Sequence, residues 1–177
     1  MKKLVILIGL IVGGLYLYGR GLPREHTVKS SIVITTAGVD SVFKVMRLIG
    51  NYPRWWSDVR SVRPLPGRRK ESWEQNLVAG GLVSVEITAL SPPNRMVTTV
   101  IQGEEEGEGA MSWGGKWKYY VYAGPSGTHV EITEEGWVEQ PLSRVLMKVR
   151  GESRTVDSFL SSLGANFGEM VTPRHDN

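Results

Sequence analysis

At 177 residues and 41% hydrophobic side chains the chain suits one domain plus an appendage and can bury a core, which excludes disorder as a global description. It has no cysteine, so disulfides, thiolate metal sites and a cysteine nucleophile are excluded. The net charge of +3 does not by itself point to nucleic acid: four of the 21 basic side chains, Lys2, Lys3, Arg20 and Arg24, flank an N-terminal apolar run, and the rest nearly balance the 18 acidic ones.

That run, Leu4 to Gly19, carries no charge and predicts an N-terminal transmembrane helix in residues 1–24. A cleaved secretory signal would need small residues at its exit, where Tyr16, Tyr18 and Arg20 stand instead, and the tyrosines suit an interfacial belt. A buried N-terminal helix is the third possibility. Lys2, Lys3 and the free amine place the N-terminus in the cytoplasm and the domain outside it.

From His26 the pattern changes. Val28, Ser30, Ile32 and Ile34 alternate with Lys29, Ser31, Val33 and Thr35 as a first strand. Val42, Phe43, Met46 and Ile49 recur at helical spacing, Gly50 ends that helix, and Tyr52 to Trp56 begin a second short one. Strands then follow at hairpin distances over Val59–Leu65, Lys70–Ala79, Leu82–Leu90 and Arg95–Gln102, which predicts a mainly antiparallel sheet. Trp113 to Glu139 reads as one long hairpin, turning at Gly124 to Gly127. One face collects Trp73, Leu77, Val83, Val85, Ile87, Ala89, Trp113, Trp117, Tyr119, Val121, Val130 and Ile132. The wet face takes Glu74, Glu86, Lys116, Lys118, Glu131 and Glu135. Pro141 opens a final helix of about 25 residues with an interruption at Gly151 and Glu152, and Thr172 to Asn177 read as a frayed tail.

Two patterns carry less than they suggest. Arg54, Arg60, Arg63, Arg68, Arg69 and Lys70 cluster where they can meet phosphates or anionic headgroups, but such runs commonly coat a solvated connection. Glu104, Glu105, Glu106 and Glu108, interleaved with glycine, lack the spacing of an oxygen-ligand calcium loop and read as a hairpin tip. His26, His129 and His175 lack zinc-site spacing, so no metal or cofactor is expected.

The order strand, two short helices, antiparallel strands and a long C-terminal helix resembles the helix-grip fold of the START-like, or SRPBCC, superfamily, and in particular its polyketide cyclase/dehydrase-type members. The resemblance rests on Val42-Phe43, Ile49 to Tyr52 and Trp56, then GKWKYYV, SGTHVEITEEG, and Pro141 with Arg144, and covers about residues 26 to 168. It implies an α+β fold in which a curved sheet grips the C-terminal helix around an apolar cavity for a lipid or similar hydrophobic molecule. With the anchor, this divides the chain into a membrane segment (1–24), a ligand-binding domain (25–170) and a flexible tail (171–177).

The expected lining is Trp73, Val85, Ile87, Trp113, Trp117, Tyr119, Val130, Ile132, Leu146 and Val149; the alternative for the aromatics is that they pack the core. Glu134 shares the inward parity of Val130 and Ile132, where desolvation would raise its pKa, and is the one catalytic candidate; a bulge at Gly136 would turn it outward. Three functions follow: a membrane-anchored binder of a hydrophobic molecule, a cyclase or dehydratase using Glu134, and a module with a closed core that docks through Arg54 to Lys70. None involves nucleic acid.

Overall fold

The computed structural model describes residues 2–79, 81–101 and 113–175. The expected acidic hairpin tip lies outside them. The elements are helix α1 (Lys2–Gly21), β1 (Glu25–Ile34), α2 (Val39–Arg47), a 3-10 turn (Ile49–Arg54), β2 (Val59–Pro64), β3 (Ser72–Leu77), β4 (Leu82–Ser91), β5 (Arg95–Ile101), β6 (Trp113–Gly124), β7 (Gly127–Val138), α3 (Pro141–Arg150), α4 (Arg154–Asn166) and the short β8 (Arg174–His175).

Hairpins carry the chain from β2 to β7, and β1 closes the other side, so the antiparallel sheet runs β2-β3-β4-β5-β6-β7-β1-β8. The strands form where alternation demands one buried face. Ile32, Ile34, Tyr119, Val121, Val130 and Ile132 are buried against Val156, Phe159, Leu160 and Leu163 of α4, and Val42, Phe43 and Met46 of α2 join the same core. The opposite face is wet and laced with ion pairs, Lys116 and Lys118 with Glu135, Lys29 with Glu131 and Lys70 with Glu86. Within the segment read as a frayed tail, Arg174 and His175 pair with Ser31 and Ser30 of β1.

Two expectations are corrected. No helix among the described residues is long and apolar enough to cross a membrane. The uncharged run from Leu4 to Gly19 gives about 24 Å of helix at 1.5 Å per residue, short of a hydrocarbon core of about 30 Å. Nor is there one long C-terminal helix. Gly151 adopts φ +90, a conformation open chiefly to glycine, and divides the helix into two short ones with different partners. The second, α4, fills the grip of the sheet, whereas α3 lies against the end of α1.

The α1–α3 contact is tight because position 19 has no side chain: a Cβ there would stand 2.2 Å from the Pro141 carbonyl oxygen. Arg144 of α3 secures it. Its buried guanidinium donates to the carbonyls of Gly19 (3.1 Å) in the last turn of α1 and Leu22 (2.8 Å) just beyond it, and to those of Val138 (3.0 Å) and Glu139 (2.7 Å) at the end of β7. A cation at the C-terminal end of a helix also complements the partial negative charge there. Arg144→Met leaves four inward-facing carbonyls without this donor. It should lower the unfolding free energy by about 2–4 kcal/mol and speed tryptic cleavage after Arg20 and Arg24; unchanged denaturation and proteolysis would deny Arg144 this role.

Candidate functional site

The middle of the concave face is filled by the protein's own rings. Phe159, from α4, has its centroid 5.0–5.8 Å from those of Tyr52, Trp55, Trp56, Trp117 and Tyr119, mostly edge to face. Within this cluster Tyr52 donates to the Met46 carbonyl (2.7 Å), and burial pushes the phenols of Tyr52 and Tyr119 well up from their usual range. Both stay protonated.

Of the expected lining residues, Ile87, Trp117, Tyr119, Val130 and Ile132 meet in this interior, and Val85 is buried on β4. Trp73 covers Gly50 and donates to Glu71 (2.9 Å), while Trp113 stands 39% exposed at the start of β6. Leu146 and Val149 are 48% and 79% exposed on α3, so the helical wall of the interior comes from α4 instead. The basic stretch lies on the 3-10 turn, the edge strand β2 and the β2–β3 turn, where Arg63 and Lys70 are held by Glu74 and Glu86.

Toward the α1 end of the sheet the chemistry changes. The β6–β7 register runs unbroken from Gly124↔Gly127 to Trp113↔Val138, so Gly136 makes no bulge and Glu134 keeps its inward parity beside Trp117. What Gly136 does is make room: a Cβ there would lie 2.4 Å from Cε1 of His26, its partner on β1. The imidazole thereby lies over the glycine and brings Nε2 to 3.6 Å from Glu134 Oε1, an ion pair with side chains only 10% and 20% exposed. The Glu134 carboxylate raises the pKa of His26 above the ordinary 6.5, against the lowering effect of burial, and Glu152 adds to the rise. Two atoms of the pair, His26 Nδ1 and Glu134 Oε2, are buried with no hydrogen-bond partner among the described residues, as is Trp55 Nε1. Buried polar groups of this kind are uncommon.

His26 also lines two cavities. One, of about 100 Å³, lies under α3 between Leu22, Pro23, Glu25, Arg144, Met147, Lys148 and Glu152. The other is an open recess of about 600 Å³ where β5 and β6 part beyond the Thr99–Lys116 pair; its side chains, Thr27, Lys116, Glu135 and Trp137 among them, belong to the wet face, and Glu134 does not line it. The first has room for a few waters, whereas the second falls in the usual range of small-molecule sites.

Ser30, Asp157 and His175 also meet, but not as a nucleophilic triad. The fully buried Ser30 donates to Asp157 (2.9 Å) rather than to the histidine, and His175 reaches the same carboxylate at 3.0 Å, so the three fasten α4 to β1 and β8. No cluster of residues able to hold a metal ion occurs among the described residues.

Glu134 was legible from strand parity. Alternation read from Val28 onward leaves out His26, which the strand includes. Extending its alternation back by one step puts His26 on the concave face, and Gly136 in the facing strand was the remaining signal.

This combination, a curved antiparallel sheet closed by α4 with two short helices after β1, is the START-like helix-grip fold. Solved structures with the same fold include a START superfamily protein from Mycobacterium smegmatis (TM-score 0.61, 12% identity, covering 82% of this chain and 98% of that one). The Zhui aromatase/cyclase from Streptomyces sp. R1128 superposes with a TM-score of 0.64 at 13% identity over 82% of this chain and 94% of its own. A conserved protein from Geobacillus kaustophilus gives 0.61 at 17% identity over 85% and 100%. At these identities the likeness establishes the fold. No protein-family model and no curated protein matches the sequence.

The electrostatics of the pair give a pH signature. A raised histidine pKa contributes stability that is fully present below 6.5 and is lost as pH rises through the folded value. The charged groups around it are Glu134 from β7, Glu25 on β1, Arg144 and Lys148 from α3, and Glu152 beyond it. An imidazole NMR titration should therefore place the His26 midpoint above 6.5 and return it toward 6.5 in Glu134→Gln. The stability gap between wild type and this variant should narrow as pH rises above 6.5 through the folded value; a midpoint unmoved by the substitution would contradict the pairing.

Proposed function

We propose that this protein binds a hydrophobic small molecule or lipid at the α1 end of the grip and is held at a bilayer by α1. The observation that carries the binding reading is the aromatic concave interior under α4 with the buried His26–Glu134 pair beside Trp117, two of whose polar atoms are unpartnered among the described residues. Apolar ligand surface withdrawn from water supplies the affinity, at about 25 cal/mol per Å². That other START-like structures carry the name aromatase/cyclase is in keeping with such a site.

Membrane attachment is supported by α1 itself. Leu4, Ile6, Leu7, Ile8, Leu10 and Ile11 are each more than half exposed, an apolar surface too large and continuous for water. Too short to cross, the helix would lie in or dip into the interface, with Lys3, Arg20 and Arg24 among headgroups.

A second reading is favoured by the same pair: a carboxylate beside an imidazole can exchange protons with a bound substrate, as a cyclase or dehydratase requires.

Native mass spectrometry of the full chain, isolated with lipid, tests the first reading. The full chain is needed because removing α1 would strip the Gly19 carbonyl from Arg144. A hydrophobic molecule at about one per chain, weakened by about tenfold in Trp117→Ala, is expected. A ligand returned lighter by one water would establish turnover, and a chain that stays empty under every lipid extract would sink the binding reading. For attachment, Leu7→Lys combined with Ile11→Lys should abolish flotation with phosphatidylcholine vesicles. Continued flotation would move the contact to the basic stretch from Arg54 to Lys70.

A further inference from the structure

We infer that α3 is a second membrane contact: its stripe of Leu142, Leu146 and Val149 settles at the acyl boundary of an anionic leaflet beside α1, with Arg20 and Arg150 against lipid phosphates. The inference rests on the attachment reading above and adds which face of the domain meets the bilayer and which lipid charge it takes.

The orientation of α3 follows from its partners. Arg144 is buried toward the exit of β7, and Met147 and Lys148 line the small cavity beneath the helix. Val145 turns to α1, its Cγ2 3.0 Å from where a Cβ on Gly19 would stand. Leu142, Leu146 and Val149 recur at i, i+4 and i+7, so they form one stripe on the side away from Arg144, and all three are exposed. On α1 the positions that share the Gly19 face are Val12, Leu15 and Tyr16. They are the least exposed of the large apolar side chains described on that helix, as expected where α3 runs beside it. The apolar surfaces of the two helices therefore adjoin.

A bilayer fits this surface better than a second copy of the chain. Exposed apolar side chains surround α1, Leu7, Ile8, Leu10, Val12 and Tyr16 among them; a protein partner would cover one stripe, whereas lipid covers every side. The close approach to α3 is at the C-terminal end of α1, where Arg20 follows the uncharged run and marks the headgroup level. At that level an amphipathic helix lies along the surface with its apolar stripe inward. Charge selects the leaflet. Arg24 is held by Glu139 and Lys148 by Glu152, whereas Arg20 and Arg150, the latter one turn beyond Leu146, have no acidic partner among the described residues. Two uncommitted cations beside the stripe favour anionic headgroups.

The chain has no cysteine, so a single introduced cysteine takes a dye at one place only. Full chains carry nitrobenzoxadiazole at Val149→Cys, at Leu7→Cys on α1, or at Ser126→Cys in the β6–β7 turn, at the other end of the sheet from α3. On phosphatidylcholine vesicles containing phosphatidylglycerol, the dyes at 149 and 7 should shift to the blue and be quenched by acyl-chain nitroxide lipids, and the dye at 126 should do neither. Leu146→Gln combined with Val149→Gln, both at exposed positions, should weaken vesicle binding about tenfold. Arg150→Gln should reduce the preference for phosphatidylglycerol over pure phosphatidylcholine about fivefold. A quenched dye at 7 with an unquenched one at 149 overturns the α3 contact and leaves attachment by α1 standing. Equal binding to both kinds of vesicle overturns the anionic selection. A dye at 149 that is blue-shifted without vesicles and never quenched by lipid means that a second copy covers the stripe, which also overturns it. Unquenched dyes at both 149 and 7, on chains that do not float with vesicles, overturn the attachment reading itself.

Discussion

A buried guanidinium needs partners, and the way Arg144 finds them sets the geometry of this molecule. Its four carbonyl acceptors come from the last turn of α1, the α1–β1 connection and the exit of β7. One side chain therefore fixes the direction in which the apolar helix leaves the domain, the point at which β1 enters the sheet, and the seat of α3. His26 is the second residue of β1, only four residues beyond Leu22. Its place over Gly136 follows from where that junction lets the strand begin.

The break at Gly151 is the second constraint. A continuous helix would have to turn one stripe toward the sheet throughout its length. Divided, α4 commits Val156, Phe159, Leu160 and Leu163 to the core, while α3 follows α1 and leaves Leu146 and Val149 outside. The interior under α4 is consequently occupied by the rings around Phe159, and a small cavity lies under α3 beside His26.

Much of this was legible because period-two alternation is a strong and local signal. The strands from β1 to β7 and the two sheet faces can be read from residue parity, and Glu134 was placed inward by the same rule. What could not be read was anything that depends on distant partners. A bulge at Gly136 stays open from sequence because a strand glycine carries no mark of whether it bends the chain or clears space for a neighbour; the neighbour, His26, is 110 positions earlier. The tail looked frayed for the same reason, since β8 is held by Ser30 and Asp157 and not by its own composition. Apolar content alone also overstated α1, where the absence of charge was clear and the shortfall in length decided the outcome.

The last step concerns why an ion pair should be kept at this corner. If stability were the only demand, two apolar side chains of similar size would serve as well or better, because desolvating charges offsets much of their attraction. Glycine at position 136 compounds the cost, since it gives up side-chain packing in a strand to admit the imidazole. The pair is also left with one acceptor and one ring nitrogen unmatched among the described residues, whereas Ser30, four residues along β1, is matched by Asp157 of α4. An arrangement that is locally unfavourable in three respects points to a demand on this corner other than stability.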